Sequence, residues 1–473
     1  MSFTSDIKFL SPAKFDTTGL LPYQHEASES IAQSLLNNNV SIDLSDLGSG
    51  KTFSAGGAIR HVVAHTQSRF FIVCPRVVRK SWGEACDHFH IKPFGIVNYE
   101  KLSRGNTPYC KWKRVRDAAG NLTKEYDYFW KLPKNTVIVF DEAHKCKGHD
   151  TLNGHLLRSA KRQGYRLHCM SATMITNPLE MYSLGYVIGL HNGDYKEFKK
   201  FCREHNCEPT GRFGAMTYDY KDAKSQAAMK NIHNEIFHVK KMGTRISIND
   251  LGDKFPSSLI TAEAIDHGAQ TGKINRAYET MEVELAKMNA QMANYKECIF
   301  TIIMKARRTV EMLRVPTLVS MVQDGIENKK SVVVFVNFTE TIIALENRLK
   351  KHCEISKIVG SQSDSQRAID IERFQKGFTQ VCIVNIAAGS CGVSLHDTTG
   401  ENERLAILAP TYSAINMVQC LGRVRRQGGG FSRQIIAYSL GTIEERICYK
   451  VRGKLKNINL LNDGDVTDNS LGF

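Results

Sequence analysis

Gly48-Ser49-Gly50-Lys51-Thr52 follows a strand-like run at residues 40–44 and stands where a helix should begin, near Thr52. Strand, glycine turn and helix in that order make a phosphate cradle, because glycines let backbone N–H groups approach the anion and a helix N-terminus favours negative charge. Lys51 can then reach β- and γ-phosphates, and the Thr52 hydroxyl can bind magnesium. A chance glycine-rich turn would not put Lys-Thr at the helix start. The element commits the chain to a parallel α/β sheet with its ligand at the carboxyl edge.

A second cluster fits the same edge. Val137-Ile138-Val139-Phe140 reads as a buried strand and ends in Asp141-Glu142-Ala143-His144. Asp141 is placed to hold magnesium, and Glu142 to orient and deprotonate an attacking water. A third cluster, Gln419-Cys420-Leu421-Gly422-Arg423-Val424-Arg425-Arg426, follows residues 409–413 on an expected helix. On a helix Arg423 and Arg426 share a face and can stabilise charge on a transferring phosphoryl group. An acidic helix cap and a solvated basic face are the structural alternatives for these two clusters. An apolar strand before the one, and Gln419 and Gly422 in the other, favour chemistry.

Short β-rich runs alternate with helical stretches, which predicts parallel sheets covered by helices. Strands are expected at 40–44, 70–74, 96–98, 136–140 and 166–170, then at 331–336, 354–359, 381–385, 404–408 and 433–438. From about 178 to 316 strand signals thin out and helical periodicity takes over, notably at 273–304. The expected architecture is two tandem α/β lobes, 1–185 and 316–473, joined by a helical extension and bridge at 186–315. With 473 residues there is chain enough for more than one core.

The formal charge of +15 suits a polyanionic partner, since each neutralised phosphate releases counterions, although a basic surface can also serve solubility alone. The 13 cysteines form no disulfide framework and read as thiols in a reducing compartment. Cys202, His205 and Cys207 lack the second pair that a zinc finger needs. The start MSFTSDIKFL lacks a signal-peptide pattern, and no apolar run approaches a membrane span, so a soluble intracellular protein is expected.

One insertion, residues 101–134, interrupts the first lobe. Its cations Lys101, Arg104, Lys111, Lys113, Arg114, Arg116, Lys124, Lys131 and Lys134 outnumber Asp117, Glu125 and Asp127. Trp112, Trp130 and several tyrosines interleave with them, and Ala118-Ala119-Gly120-Asn121 reads as the turn of a projecting hairpin. Such a surface could track phosphates and stack on bases. The same aromatics could instead fasten the insertion to the lobe.

In this order the motifs resemble superfamily-2 helicases of the DEAH-box kind, and among them Swi/Snf-like translocases and their compact viral and phage relatives. Leu21-Pro22-Tyr23-Gln24 is similar to the element that reads adenine, through Gln24. Val73-Cys74-Pro75-Arg76, with Trp82 downstream, and Asn98-Tyr99-Glu100 resemble strand-binding motifs of the first lobe. Ser171-Ala172-Thr173 resembles the segment that couples hydrolysis to lobe movement. In the second lobe Val334-Phe335-Val336-Asn337-Phe338 resembles the motif that meets the nucleic-acid backbone. Ala388-Gly389-Ser390-Cys391-Gly392 resembles the loop that touches strand and nucleotide, and Gly441-Thr442-Ile443-Glu444-Glu445 the segment that closes the core.

The resemblance implies two RecA-like lobes, ATP and Mg2+ in the cleft, and nucleic acid, foremost double-stranded DNA, across both lobes. Nucleotide contacts are then expected from Gln24, Gly48, Ser49, Gly50, Lys51, Thr52, Gly392 and Gln419, and strand contacts from Arg76, Tyr99, Asn337, Phe338, Ser390, Trp112 and Trp130. The helical extension and the 101–134 insertion are the surfaces left for protein partners. Met174, where Swi/Snf-like chains usually carry proline, and Ala409-Pro410-Thr411-Tyr412, which lacks their Trp-Asn-Pro, depart from the chromatin-remodelling branch. Translocation on duplex DNA, strand separation of DNA or RNA, a nucleotide-gated clamp, and the motor subunit of a larger assembly are the readings left open.

Overall fold

The structure, a computed structural model, describes residues 14–104, 107–116, 119–210, 215–290, 296–389, 392–411 and 413–463. The first lobe is built on a six-stranded parallel sheet in the order Gly243–Thr244, Val40–Asp43, Arg166–Met170, Val137–Asp141, Phe70–Cys74, Gly95–Asn98. Val40–Asp43, Phe70–Cys74 and Val137–Asp141 are buried end to end, as strands covered on both faces must be. On one face Ile31, Leu35, Ala58, Ile59 and Val62 of helices His25–Asn38 and Lys51–Thr66 pack on Ile72 and Val139. On the other, Leu156 and Leu157 of helix Leu152–Arg162 meet Phe71, Ile138 and Phe140.

The second lobe has the same plan, a parallel sheet in the order Ser258–Ile265, Ser432–Ser439, Arg404–Leu408, Ser331–Val336, Val381–Asn385, Ile355–Ile358. Its apolar runs Val332-Val333-Val334-Phe335-Val336 and Leu405-Ala406-Ile407-Leu408 lie at the centre. The two-lobe α/β class therefore holds, and the central strands lie where the apolar runs predict.

The span read as poor in strands corrects that expectation in detail. It supplies Gly243–Thr244 to the first sheet and Ser258–Ile265 to the second, plus a small antiparallel pair, Cys207–Thr210 with Ala215–Tyr218. The second sheet thus begins at Ser258, not beyond 316. Ser258–Ile265 is an edge strand with half-exposed positions and carries no apolar run to announce it. Two residues at Gly243–Thr244 are too few to read. The helical extension itself is present as helices Thr271–Ala290 and Lys296–Leu313, which share a small core of Ile274, Tyr278, Met281, Ala306 and Val310.

The insertion forms the expected hairpin, strands Cys110–Arg116 and Leu122–Trp130, with Trp112 opposite Tyr128 and Lys111 opposite Phe129. Tyr128 and Trp130 are buried in the first lobe's core, and the Trp130 indole donates to Leu156 O and Ser159 Oγ.

Candidate functional site

The glycine turn has the geometry a phosphate cradle needs. Gly48 and Gly50 sit at φ +85° and +82°, and Gly50 caps the 16-residue helix Lys51–Thr66. A side chain at Gly50 would come within 2.3 Å of Gln24 Nε2, so Gln24 would have to shift from the loop. Gln24 is buried; its Nε2 donates to Ser49 O at 3.1 Å and Gly50 O at 3.3 Å, and its Oε1 accepts from Leu21 N. In this arrangement Gln24 braces the loop that the adenine-reading motif adjoins. Ser49 is buried and bonds back to Asp46 O. Lys51 Nζ donates to Ser45 O at 2.9 Å and Asp46 O at 3.0 Å, and burial pushes its pKa down against the pull of Asp43 and Glu142. The ammonium thus lies on the carbonyls of the incoming limb, from which a phosphate would draw it.

Asp141 and Glu142 end the central strand Val137–Asp141, and the chain turns at Glu142 with φ +54°. The two carboxylates engage different partners. Asp141 Oδ2 accepts from Trp82 Nε1 at 2.8 Å, and its main-chain oxygen accepts from the Tyr99 hydroxyl at 2.7 Å. Burial and the neighbouring Glu142 raise the Asp141 pKa. Burial would raise that of Glu142 too, but His144, Lys51 and Arg423 outweigh it and hold Glu142 low. Glu142 Oε2 lies 3.2 Å from His144 Nδ1 and accepts from Ser171 Oγ at 3.4 Å, and that hydroxyl is itself 3.0 Å from His144 Nδ1. The coupling segment therefore touches the candidate base directly.

The second lobe closes on the same carboxylate. Gln419 Nε2 donates to Glu142 Oε2 at 3.4 Å, across 277 residues of chain. Arg423 Nη1 and Arg426 Nη2 both donate to Val393 O, at 3.4 and 3.2 Å. Burial, then the adjacent Arg423, lowers the Arg426 pKa to about 9. One expectation needs correcting: helix Ala414–Leu421 stops before Arg423, and the two guanidinium groups converge from the turn that follows rather than from one helical face. Gly422 caps that helix, and Leu47, beside the phosphate loop, lies 2.8 Å from where a side chain on it would stand, so the close approach of the lobes needs a glycine there.

Thr52 is half-buried in the first turn of its helix, and with Asp141 it offers hydroxyl and carboxylate oxygens, the hard donors that magnesium takes. One carboxylate and one hydroxyl suit an ion that keeps waters and phosphate oxygens as its other ligands. Among the described residues no group of three or more His, Cys, Asp or Glu could hold a metal by itself.

The expected strand contacts fare unevenly. Arg76 is exposed and pairs with Asp364 of the second lobe at 3.1 Å. Phe338 is half-buried two residues past strand Ser331–Val336, at the start of helix Thr339–Leu349. Tyr99 and Trp130 are buried, with their polar groups engaged inside the lobe, so both are braces rather than surfaces for a strand. Trp112 is half-buried against Tyr126, its Nε1 shielded from solvent. Asn337 is turned inward: its Nδ2 donates to Glu311 Oε2 and its Oδ1 accepts from Arg307 Nη2. Gly392, at φ +68°, abuts Val77 and Val78 of the first lobe. Ser390 lies outside the described residues.

Trp82 and Ser171 lie in motifs that the sequence singles out, but their contacts with Asp141 and Glu142, like those of His144 with Glu142 and Glu311 with Asn337, escaped it. The register Asp141↔Met170 puts Ser171 one step past the strand beside Glu142, and pairing of those two strands was the signal that could have joined them.

Two family models match the chain, the res subunit of type III restriction enzymes over residues 17–175 and the helicase conserved C-terminal domain over residues 314–428. A protein of Acanthamoeba polyphaga mimivirus described as an ATP-dependent RNA helicase is 30% identical over 464 residues, 94% of this chain and 84% of its own length. The DNA repair and recombination protein RAD54 of Saccharomyces cerevisiae is 30% identical over 125 residues, 26% of this chain and 14% of that protein. The solved Sulfolobus solfataricus SWI2/SNF2 ATPase core in complex with dsDNA aligns over 96% of this chain and 95% of its own, with 17% identity and a TM-score of 0.38.

Proposed function

This chain belongs to the superfamily-2 helicases, a family of nucleic-acid-dependent ATP hydrolases, and from that premise we propose that it is a DEAH-box, Swi/Snf-like motor that couples hydrolysis to movement along duplex DNA. The observation that carries the reading is the cross-lobe contact of Gln419 with Glu142, which brings the base of one lobe and the arginine turn of the other into one cleft. Glu142 activates the water, Lys51 binds the β- and γ-phosphates, and Arg423 and Arg426 turn from Val393 O toward the γ-phosphoryl charge. Mg2+ held by Thr52 and Asp141 would neutralise phosphate charge. Because the two halves of the site lie on separate lobes, nucleotide favours one lobe arrangement and its hydrolysis releases it.

The duplex-DNA track is supported by the formal charge of +15, by the Swi/Snf-like motifs, and by the segment shared with RAD54. An RNA track is supported by the description of the mimivirus relative. The test is ATP hydrolysis measured at fixed salt with single-stranded DNA, duplex DNA, forked DNA and RNA in turn. Stimulation greatest with duplex DNA is expected, and stimulation by RNA alone overturns the DNA reading. Lys51→Ala and Glu142→Gln, each folded, should lose stimulated hydrolysis by at least about 100-fold; hydrolysis retained by either pure variant would sink the assignment.

A further inference from the structure

We propose that Arg245 is a positioning residue that ties the phosphate loop to the last helix of the second lobe, so that lobe arrangement is felt at Lys51; this rests on the ATPase reading above.

Arg245 follows the edge strand Gly243–Thr244 and is largely buried. Its Nη1 donates to Leu44 O and to Asp46 Oδ1, both at 2.7 Å, at the limb that enters the phosphate loop. Its Nε and Nη2 donate to Asp463 Oδ1 at 2.7 Å and Oδ2 at 3.1 Å, a bidentate pair. Asp46 is the hub between them. Its side chain is held by Arg245 and by Ile248 N, while its main-chain oxygen holds Lys51 Nζ. Displacement of Asp463 therefore reaches Lys51 through one guanidinium and one residue of backbone.

Asp463 ends helix Ile443–Asp463, which belongs to both lobes. Ile447, Val451, Leu455 and Ile458 sit in the second lobe's core, whereas Leu460 and Leu461 sit in the first lobe's. The same last turns reach the coupling segment, for Asn462 Nδ2 donates to Ala172 O at 3.0 Å and Asn457 Nδ2 to Thr176 O at 2.9 Å. Ala172 adjoins Ser171, whose hydroxyl meets Glu142. A cavity of about 590 Å³ is bordered by Asp46, Arg245, Ala172 and Asn462 together with Gly422 and Arg425 of the arginine turn. One helix thus grips both halves of the first lobe's site, and Arg245 is its link to the phosphate half. Only arginine has the planar fork to serve a carboxylate and two further acceptors at once.

The test uses the full chain with saturating nucleic acid. Asp463→Asn should lower stimulated kcat about three- to tenfold, the scale of one charge-assisted pair, with Tm and the affinity for a fluorescent ADP analogue unchanged. Asp463→Glu should restore most of the rate, and Arg245→Lys should not match wild type. Unchanged kcat in Asp463→Asn, or a loss that follows only a fall in Tm, overturns the inference. A wild-type chain with no stimulated hydrolysis overturns the ATPase reading instead, so the two failures are told apart by the wild-type control.

Discussion

His168 stands on strand Arg166–Met170, fully buried, and among the described residues neither of its ring nitrogens has a hydrogen-bond partner. Burial pushes its pKa down to about 4, with Asp43 pulling weakly the other way. The unfolded chain therefore takes a proton near pH 6.5 that the folded chain refuses until about 4, and stability falls as pH drops through that window. The expected loss from this residue is roughly 2 kcal/mol at pH 5 relative to pH 7. Urea unfolding at the two pH values measures it, and His168→Leu should flatten that part of the slope. Trp82 is a second buried residue with a defined task, orienting Asp141 through its indole N–H. Trp82→Phe keeps the apolar bulk and removes the donor, at a cost of about 1.5–3 kcal/mol to the carboxylate's placement. The Mg2+ concentration for half-maximal hydrolysis should rise about tenfold or more in that variant. An unchanged Mg2+ titration would overturn this link between Trp82 and the carboxylate proposed to hold the metal.

Helix Lys296–Leu313 acts on the second lobe through several side chains, Arg307 on Asn337, Arg308 on Glu340 and Glu311 on Asn337 and Phe338. Glu311 is buried and accepts from Asn337 N, Phe338 N and Asn337 Nδ2 at 2.7–3.0 Å, which caps the start of helix Thr339–Leu349 from outside it. Glu311→Ala strands these donors and should destabilise the chain by about 2–4 kcal/mol, read by urea unfolding, while Glu311→Gln should recover part of it. If the loop at Asn337-Phe338 meets nucleic acid, the Gln variant should weaken strand binding more than it weakens unstimulated hydrolysis. What the sequence disclosed at this scale follows a physical rule. Runs such as Val137-Ile138-Val139-Phe140 announce buried parallel strands because both faces must be apolar. Ser258–Ile265 escaped because an edge strand needs no such run, and the close packing of Gly422 on Leu47 of the other lobe escaped because it is a tertiary contact. The phosphate loop and its carboxylates were legible for being contiguous. Glu311 with Asn337, and Arg245 with Asp463, were not, because tertiary pairing alone brings them together.

Across the whole molecule, the charge of +15 asks where a polyanion would lie, and the hairpin Cys110–Arg116 with Leu122–Trp130 divides the answer between its two sides. Of its large aromatics, Tyr128 and Trp130 belong to the first core and Trp112 leans on Tyr126, while Phe129 is exposed. Its cations face outward, with Lys111, Lys113 and Lys131 exposed and Lys113 over the partly exposed Phe129 ring. Base stacking on the tryptophans is therefore disfavoured, and what remains is an electrostatic track. A phosphate contact has a measurable signature, since each one adds about 0.9 to the slope of log binding constant against log salt on duplex DNA. Substituting Lys111, Lys113 and Lys131 together with alanine should lower that slope by roughly two to three, with little change in Tm because all three are solvent-exposed. The same variant should lose third-strand displacement from a triplex before it loses hydrolysis, because the track would be weakened while the cleft is intact. A slope equal to that of the wild type would leave the hairpin as a cover for helix Leu152–Arg162, to which Trp130, and Asp127 through its pair with Arg162, already bind it.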